Sequence, residues 1–227
     1  MSDLFLFGVV PYLAVALAVG GTVYRYRALR STVTAGSSQL LEGRALSWGS
    51  VPWHYAILAI LVAHVAAAVF PGTWARLLGS PARLFALEVT GLALGALALL
   101  GLAVLVVRRL FLASTTGAMD WVVLALLLLQ AATGLYVAFS LRWGSAWYLH
   151  TAAPWLASLG RLSPRVDAMA VLPGVVKVHA VNAFVLVALL PLSRLVHATV
   201  VPIPYLWRPP QLVFWRRAPA STKEGTR

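Results

Sequence analysis

The sequence contains no cysteine, few acidic residues and no strand-like alternation of polar and apolar residues. Its 227 residues include 6 Asp and Glu against 18 Lys and Arg, and only 11% of all residues are charged. The absence of cysteine excludes disulfides, cysteine-ligated iron–sulfur clusters and thiol chemistry within this chain. The absence of alternation argues against a membrane barrel. Histidine is therefore the best metal ligand that remains.

Apolar residues fill most of the chain. Hydrophobic residues make up 61% of it and the mean hydropathy is +0.86, which is unusual for a soluble domain. Five stretches reach the length of about 20 helical residues that crosses a hydrocarbon core of about 30 Å. They are roughly 4–23, 51–70, 85–107, 120–140 and 175–200. The sequence predicts an all-α integral membrane five-helix bundle over residues 1–217, in contact with lipid, and a polar tail over 218–227.

The basic residues are distributed unequally between the two sides of this bundle. Five lie in the second and fourth loops: Arg76, Arg83, Arg142, Arg161 and Arg165. Eleven lie in the first and third loops and the tail: Arg25, Arg27, Arg30, Arg44, Arg108, Arg109, Arg208, Arg216, Arg217, Lys223 and Arg227. The positive-inside rule then places the amino terminus outside and the carboxy terminus in the cytoplasm. Basicity thus reflects topology in a multi-pass protein of the cell inner (cytoplasmic) membrane, and nucleic-acid binding is not predicted.

Four of the five histidines lie inside apolar stretches, His54 and His64 in the second and His179 and His197 in the fifth. An imidazole in lipid requires a partner that offsets its desolvation. The two helices are predicted to be antiparallel, so His54 pairs with His197 near the cytoplasm and His64 with His179 nearer the outside. On a continuous helix His179 and His197 share one face about 27 Å apart, whereas His54 and His64 are separated by only about 15 Å. A tilt or a bend must reconcile the two spacings, and Pro191 is the candidate kink.

These pairs predict two b haems, each held between two helices. Two imidazoles fill both axial positions, so such haems pass electrons and do not activate oxygen. Lys177 and Arg194 are candidate partners for the haem propionates, and His150, in the fourth loop, is expected at the surface. The alternative from a different class is a histidine-lined channel or transporter that relays protons or binds a transition metal. That alternative predicts a colourless protein with acidic residues along a path, and only Glu88 clearly lies within a span.

Three local motifs accompany the histidine spacings. They are RRLF at Arg108 to Phe111, TTGAMD at Thr115 to Asp120, and SRLVH at Ser193 to His197, the last followed by VP and YLWR up to Arg208. In these features the chain resembles the gamma subunit of respiratory membrane-bound nitrate reductase, a dihaem cytochrome b. The resemblance runs from the second span to about Val213, and the first span is compatible with it.

The resemblance implies that His54 and His197 hold a proximal haem and that His64 and His179 hold a distal haem. It also implies that menaquinol or ubiquinol is oxidised by the distal haem near the outer face and releases its protons there. Electrons then pass to an iron–sulfur beta subunit and to a molybdenum-containing alpha subunit that reduces nitrate. Related haem b subunits share parts of the pattern, so an anchor of another quinone-linked redox complex remains the alternative within the redox class.

The proposed quinol site departs from the family at two positions. Arg83 lies where the family has a lysine, and Ala63 stands before His64 where the family often has glycine. Arginine can donate to a quinone oxygen but cannot act as a base, because it stays protonated. Glu88, one turn further along the helix, is the candidate proton acceptor.

Overall fold

Five long helices make up most of the part of the chain that the structure describes. The computed structural model describes residues 2–28, 44–111 and 117–198, and side chains for all of these except 44–46. The long helices are α1 (Ser2–Ala28), α2 (Arg44–Val69), α4 (Pro81–Phe111), α5 (Ala118–Ser140) and α9 (Gly174–Leu189). All five are long and apolar enough to cross a membrane. The predicted helical membrane bundle is confirmed, whereas residues 199–227, with the predicted tail and the YLWR motif, lie outside the described residues.

Within the described residues, four short helices occupy connections that the sequence suggested only as loops. They are α3 (Pro71–Leu78), α6 (Gly144–His150), α7 (Ala152–Gly160) and α8 (Asp167–Ala170). Pro71 begins α3, where its fixed φ suits the first helical position and its missing N–H costs nothing. All four connect α2 to α4 or α5 to α9, so they cover a single end of the bundle.

The long helices are neighbours in the order α2, α4, α5, α9 and α1, and α2 has little direct contact with α9. The densest contact lies between α2 and α4, where Trp53, Ala56, Ala98 and Leu102 form a buried cluster. Large apolar side chains elsewhere on α2, such as Val62, are exposed. Exposed apolar surface of this extent suits helices that face lipid.

Two glycines allow α2 and α4 to approach closely. A Cβ atom on Gly101 would lie 2.8 Å from the carbonyl oxygen of Gly49, and one on Gly49 would lie 2.8 Å from the Leu105 side chain. Real Cβ atoms do not sit this near to backbone, so Gly101 must be glycine, whereas a Cβ at Gly49 would require the Leu105 side chain to move. The crossing fixes the start of α2 and therefore the height of His54 in the bundle.

Near its start α1 contains a π-helical turn over Phe5–Val9. Pro11 lacks an N–H group, so the carbonyl of Phe7, four residues earlier, loses its usual helical donor. The indole Nε1–H of Trp155 donates to that oxygen at 2.8 Å, and Tyr12 donates its hydroxyl to the carbonyl of Leu159 at 2.9 Å. These bonds attach α1 to the short helix α7.

The fifth span is not one continuous helix. The α-helix ends at Leu189, and 3-10 turns follow at Leu190–Leu192 and Arg194–Ala198. Ser193 between the turns is extended, with φ −129° and ψ −178°. The shared face that a continuous helix would give to His179 and His197 is therefore lost, and the expected kink at Pro191 is confirmed as a full break. The break follows from the missing N–H of proline, and Arg25 of α1 donates to the Pro191 carbonyl at 2.7 Å.

Candidate metal centres

The structure brings His54 of α2 directly opposite His197, in the 3-10 turn after α9. Their ring centres lie 6.1 Å apart with an interplanar angle of 58°. Both side chains are exposed rather than packed into the helix contacts. The break at Pro191 makes this possible, since it releases residues 194–198 from the axis of α9. The pair predicted near the cytoplasmic end is thus formed.

Backbone carbonyls determine the tautomer of three histidines. His54 Nδ1 lies 2.7 Å from the Ser50 carbonyl oxygen, His64 Nδ1 2.8 Å from that of Ile60, and His197 Nδ1 2.6 Å from that of Arg194. A carbonyl oxygen can only accept, so Nδ1 must carry the hydrogen in each case. In a neutral imidazole this leaves the lone pair on Nε2, the arrangement in which histidine commonly binds a metal.

His64 faces the short helix α6. Tyr148 of α6 packs its ring edge-to-face against the imidazole, with ring centres 5.9 Å apart, and its hydroxyl forms a long bond of 3.3 Å to the His64 carbonyl oxygen. Burial raises the pKa of Tyr148 to about 12, so the hydroxyl stays protonated and keeps this donor role. Tyr148 thereby connects α6 to the face of α2 that carries His64.

His179 is held by side chains of the neighbouring helix α5. Gln130 Nε2 lies 3.1 Å from His179 Nε2, and Thr133 Oγ1 lies 3.0 Å from His179 Nδ1. Asn182 Nδ2 donates to Gln130 Oε1 at 2.7 Å and so orients that amide. Of the two predicted pairs, only His54 and His197 show a ring-to-ring contact within the described residues.

The separation of His54 and His197 fits haem iron. In the described part of the chain no three His, Asp or Glu side chains converge on a metal position, and haem needs only two protein ligands because the porphyrin supplies the others. If one iron were bound between two imidazoles, each iron–nitrogen bond would be about 2.0 Å long. Adding the distance from each nitrogen to its ring centre gives about 6 Å between the two ring centres. The 6.1 Å between His54 and His197 matches that span. At His179, iron binding requires the Gln130 amide to withdraw from Nε2.

One carboxylate clamps the segment that carries His197. Asp120, in the first turn of α5, accepts from Arg109 Nη2 at 2.6 Å and from Arg194 Nε at 2.9 Å. Arg194 lies three residues before His197, so the clamp attaches the broken end of the fifth span to α4 and α5. The sequence indicated Arg194 only as a propionate partner, because an ion pair between distant parts of the chain leaves no trace in residue spacing.

Replacing Asp120 by Asn is expected to destabilise the protein. Removing one partner of a buried ion pair costs about 3–5 kcal/mol, and partial exposure of the arginines lowers the expected loss to about 1–3 kcal/mol. Denaturant unfolding in one fixed detergent measures the change. The matched control is Asp167→Asn, since Asp167 pairs with Arg165 at 3.8 Å and the two side chains are 73% and 64% exposed. That variant is expected to change by less than about 0.5 kcal/mol, and equal losses would contradict a structural role of the clamp.

The remaining predicted site residues have partners at the end of the bundle that carries the short helices. Lys177 pairs with Asp3 of α1 at 3.5 Å. Glu88 Oε1 accepts the backbone N–H of Ser145, at the start of α6, at 2.9 Å. Arg83 donates from Nε to the Leu77 carbonyl at 2.8 Å, at the end of α3. Glu88 is thereby tied to α6, whose Tyr148 packs on His64, and Arg83 is tied to α3.

Three residues were missed as parts of the site. They are Tyr148, Gln130 and Thr133, none of which lies in a motif that indicates a site. The distance of three residues between Gln130 and Thr133 places both on one face of α5, and a polar pair on one face of an apolar helix was the available signal.

Comparison with known proteins is consistent across nearly the whole chain. A sequence profile described as "Nitrate reductase gamma subunit" matches residues 3–216. The chain is 33% identical to the nitrate reductase gamma chain of Bacillus subtilis over 214 residues, which covers 92% of this chain and 96% of that protein. It is 33% identical to the respiratory nitrate reductase 1 gamma chain of Escherichia coli, over 93% of this chain and 96% of that protein. It is also 33% identical to the nitrate reductase-like protein NarX of Mycobacterium tuberculosis, over 92% of this chain and 33% of that longer protein.

Proposed function

The chain belongs to the nitrate reductase gamma subunit family, and from that premise we propose that it is the quinol-oxidising dihaem cytochrome b subunit of its complex. It is a multi-pass membrane protein and a subunit of a respiratory oxidoreductase. The single observation that carries the haem proposal is the opposition of His54 and His197, 6.1 Å apart at their ring centres. Family membership favours nitrate reductase over another quinone-linked complex and over a histidine-lined transporter.

Four histidines hold the two haems in this proposal, His54 with His197 and His64 with His179. Haem, when bound in this way, supplies one-electron redox chemistry without an open coordination site. The chain contributes ligand orientation: each Nδ1–H is directed to an oxygen acceptor, which raises the basicity of Nε2. Arg194 and Lys177 remain the proposed propionate partners. Arg194 is 43% exposed despite its contact with Asp120, and Lys177 lies two residues before His179.

The basic loops orient the chain with its carboxy terminus in the cytoplasm. The location that follows is the cell inner (cytoplasmic) membrane. His54 and His197 then lie near the cytoplasmic face, where the iron–sulfur beta subunit and the molybdenum-containing alpha subunit dock. His64 and His179 lie nearer the outer face. Electrons delivered at the outer face cross the bilayer between the two pairs, which separates charge across the membrane.

Quinol, menaquinol or ubiquinol, binds at the outer end beside His64 in this proposal. Glu88 supports that position because its carboxylate binds the first turn of α6, and Tyr148 on the same helix packs on His64. Glu88 accepts a proton from the quinol hydroxyl and passes it outward. Arg83 donates to a quinone oxygen, since its two bonds to the Leu77 and Arg76 carbonyls leave other N–H donors available.

Reduction of the purified complex by quinol tests this function. A water-soluble quinol is expected to reduce the b haems, and subsequent nitrate is expected to reoxidise them. The control is dithionite, which reduces haem without using a quinol site. Haems that dithionite reduces but quinol leaves oxidised would contradict the quinol-oxidising role.

A further inference from the structure

His179 differs from the other three histidines in the partner of its Nδ1 atom. His54, His64 and His197 each have a backbone carbonyl of their own segment within 2.8 Å of Nδ1. His179 instead has the Thr133 hydroxyl of α5 at 3.0 Å. Among the described residues, His179 is the one histidine whose Nδ1 contacts a side chain of another helix. A substitution can therefore change the partner without changing the ligand.

The direction of the bond follows from the neighbouring amides. Asn182 Nδ2 donates both to Gln130 Oε1, at 2.7 Å, and to the Leu126 carbonyl, at 3.0 Å. Gln130 must then present its NH₂ group to His179 Nε2, which accepts. The hydrogen of a neutral His179 consequently lies on Nδ1 and points to Thr133. It would remain on Nδ1 if iron replaced the Gln130 amide at Nε2, because a ligating Nε2 carries no hydrogen.

The Thr133 hydroxyl is arranged to accept. Its own hydrogen is directed to the Leu129 carbonyl oxygen, 2.6 Å away, so a lone pair remains for His179. Gly134, the next residue, gives the ring its room, since a Cβ there would lie 2.9 Å from His179 Cε1. The His179 ring is thus held against α5 by its bond to Thr133, and it fits there because Gly134 has no side chain.

We propose that Thr133 is the positioning residue of His179 and sets the redox potential of the haem held by His64 and His179, an inference that rests on the proposed function. An Nδ1–H that is donated to an oxygen increases electron density on Nε2. Greater density at the ligand stabilises oxidised iron over reduced iron, because the oxidised ion carries more positive charge. Loss of the acceptor therefore raises the midpoint potential of this haem and leaves the haem of His54 and His197 unchanged.

The test is a potentiometric titration of the purified complex with Thr133→Val, which keeps the shape of threonine and removes the hydroxyl. The visible spectra resolve the two haems during the titration, and electron paramagnetic resonance of the oxidised protein reports the environment of each iron. The expected result is an upward shift of one midpoint, with a changed signal for that haem alone. Thr133→Ser is expected to restore both readouts, because it restores the acceptor. Thr90→Val, on an exposed face of α4, is the matched control and is expected to leave both haems as in the unaltered protein.

Unchanged midpoints in Thr133→Val, or equal shifts of both haems, would overturn the role of Thr133. If the valine variant does not assemble, Thr133→Ala is titrated and judged by the same criterion. A chain that binds no haem at all would contradict the proposed function itself. Two haems with unshifted potentials would contradict the role of Thr133 alone, so the two failures are distinguishable.

Discussion

His64→Ala and His197→Ala are each expected to remove one haem, and a different one in each variant. Iron bound by two imidazoles loses one axial bond when either histidine is truncated, and the alanine cannot replace it. Each variant should therefore retain about half of the reduced-minus-oxidised haem absorbance. The pairing adds a stricter expectation: His54→Ala loses the same haem as His197→Ala, and His179→Ala the same as His64→Ala.

The control for these variants is His150→Ala. His150 ends α6, and its side chain is exposed, so its removal should leave both haems in place. Loss of the same haem from His64→Ala and His197→Ala would contradict the assignment of histidines to pairs. Retention of both haems in all four variants would contradict histidine ligation altogether.

Glu88→Gln is expected to slow quinol oxidation by about 100-fold, within the range that a positioned general base contributes. Glutamine keeps a side-chain oxygen that can accept the Ser145 N–H, so the start of α6 stays attached. It cannot take up a proton from the quinol hydroxyl. The rate of haem reduction by quinol, followed at saturating quinol, measures the effect.

Two controls separate a chemical role of Glu88 from a structural one. Dithionite should reduce both haems of the variant completely, because their ligands are untouched. Glu88→Ala should also lose the bond to α6, and is expected to lower thermal stability as well as the rate. A positioned general base contributes at least about 100-fold. If Glu88→Gln oxidised quinol within about 2-fold of the rate of the unaltered protein, Glu88 would be excluded as the proton acceptor.

Hydropathy was sufficient to predict the five membrane helices, because the length of each apolar stretch is set by the thickness of the bilayer. The pairing of His54 with His197 also followed from sequence, since antiparallel helices must match their ends. The full break in the fifth span could not be predicted from the sequence. A proline in a membrane helix is compatible with a mild kink or with a full break, and contacts of Pro191 with α1 accompany the break that occurs here.

The partners of the charged residues depend on contacts between distant parts of the chain. Asp120 and Arg194 are 74 positions apart in the sequence, so nothing local indicates their ion pair. Similarly, Glu88 contacts α6 only because α5 returns the chain to the same end of the bundle. Sequence therefore identified the residue types that carry chemistry, whereas the side chains that orient them required the fold.

The measurement that tests the central claim most directly is a reduced-minus-oxidised visible spectrum of the purified protein, with haem quantified per chain. The chain should be produced together with its partner subunits under conditions in which haem is abundant. The account predicts a b-type spectrum and two haems per chain, one for each histidine pair. A colourless protein, or one haem per chain, would contradict the assignment of two histidine-ligated haems.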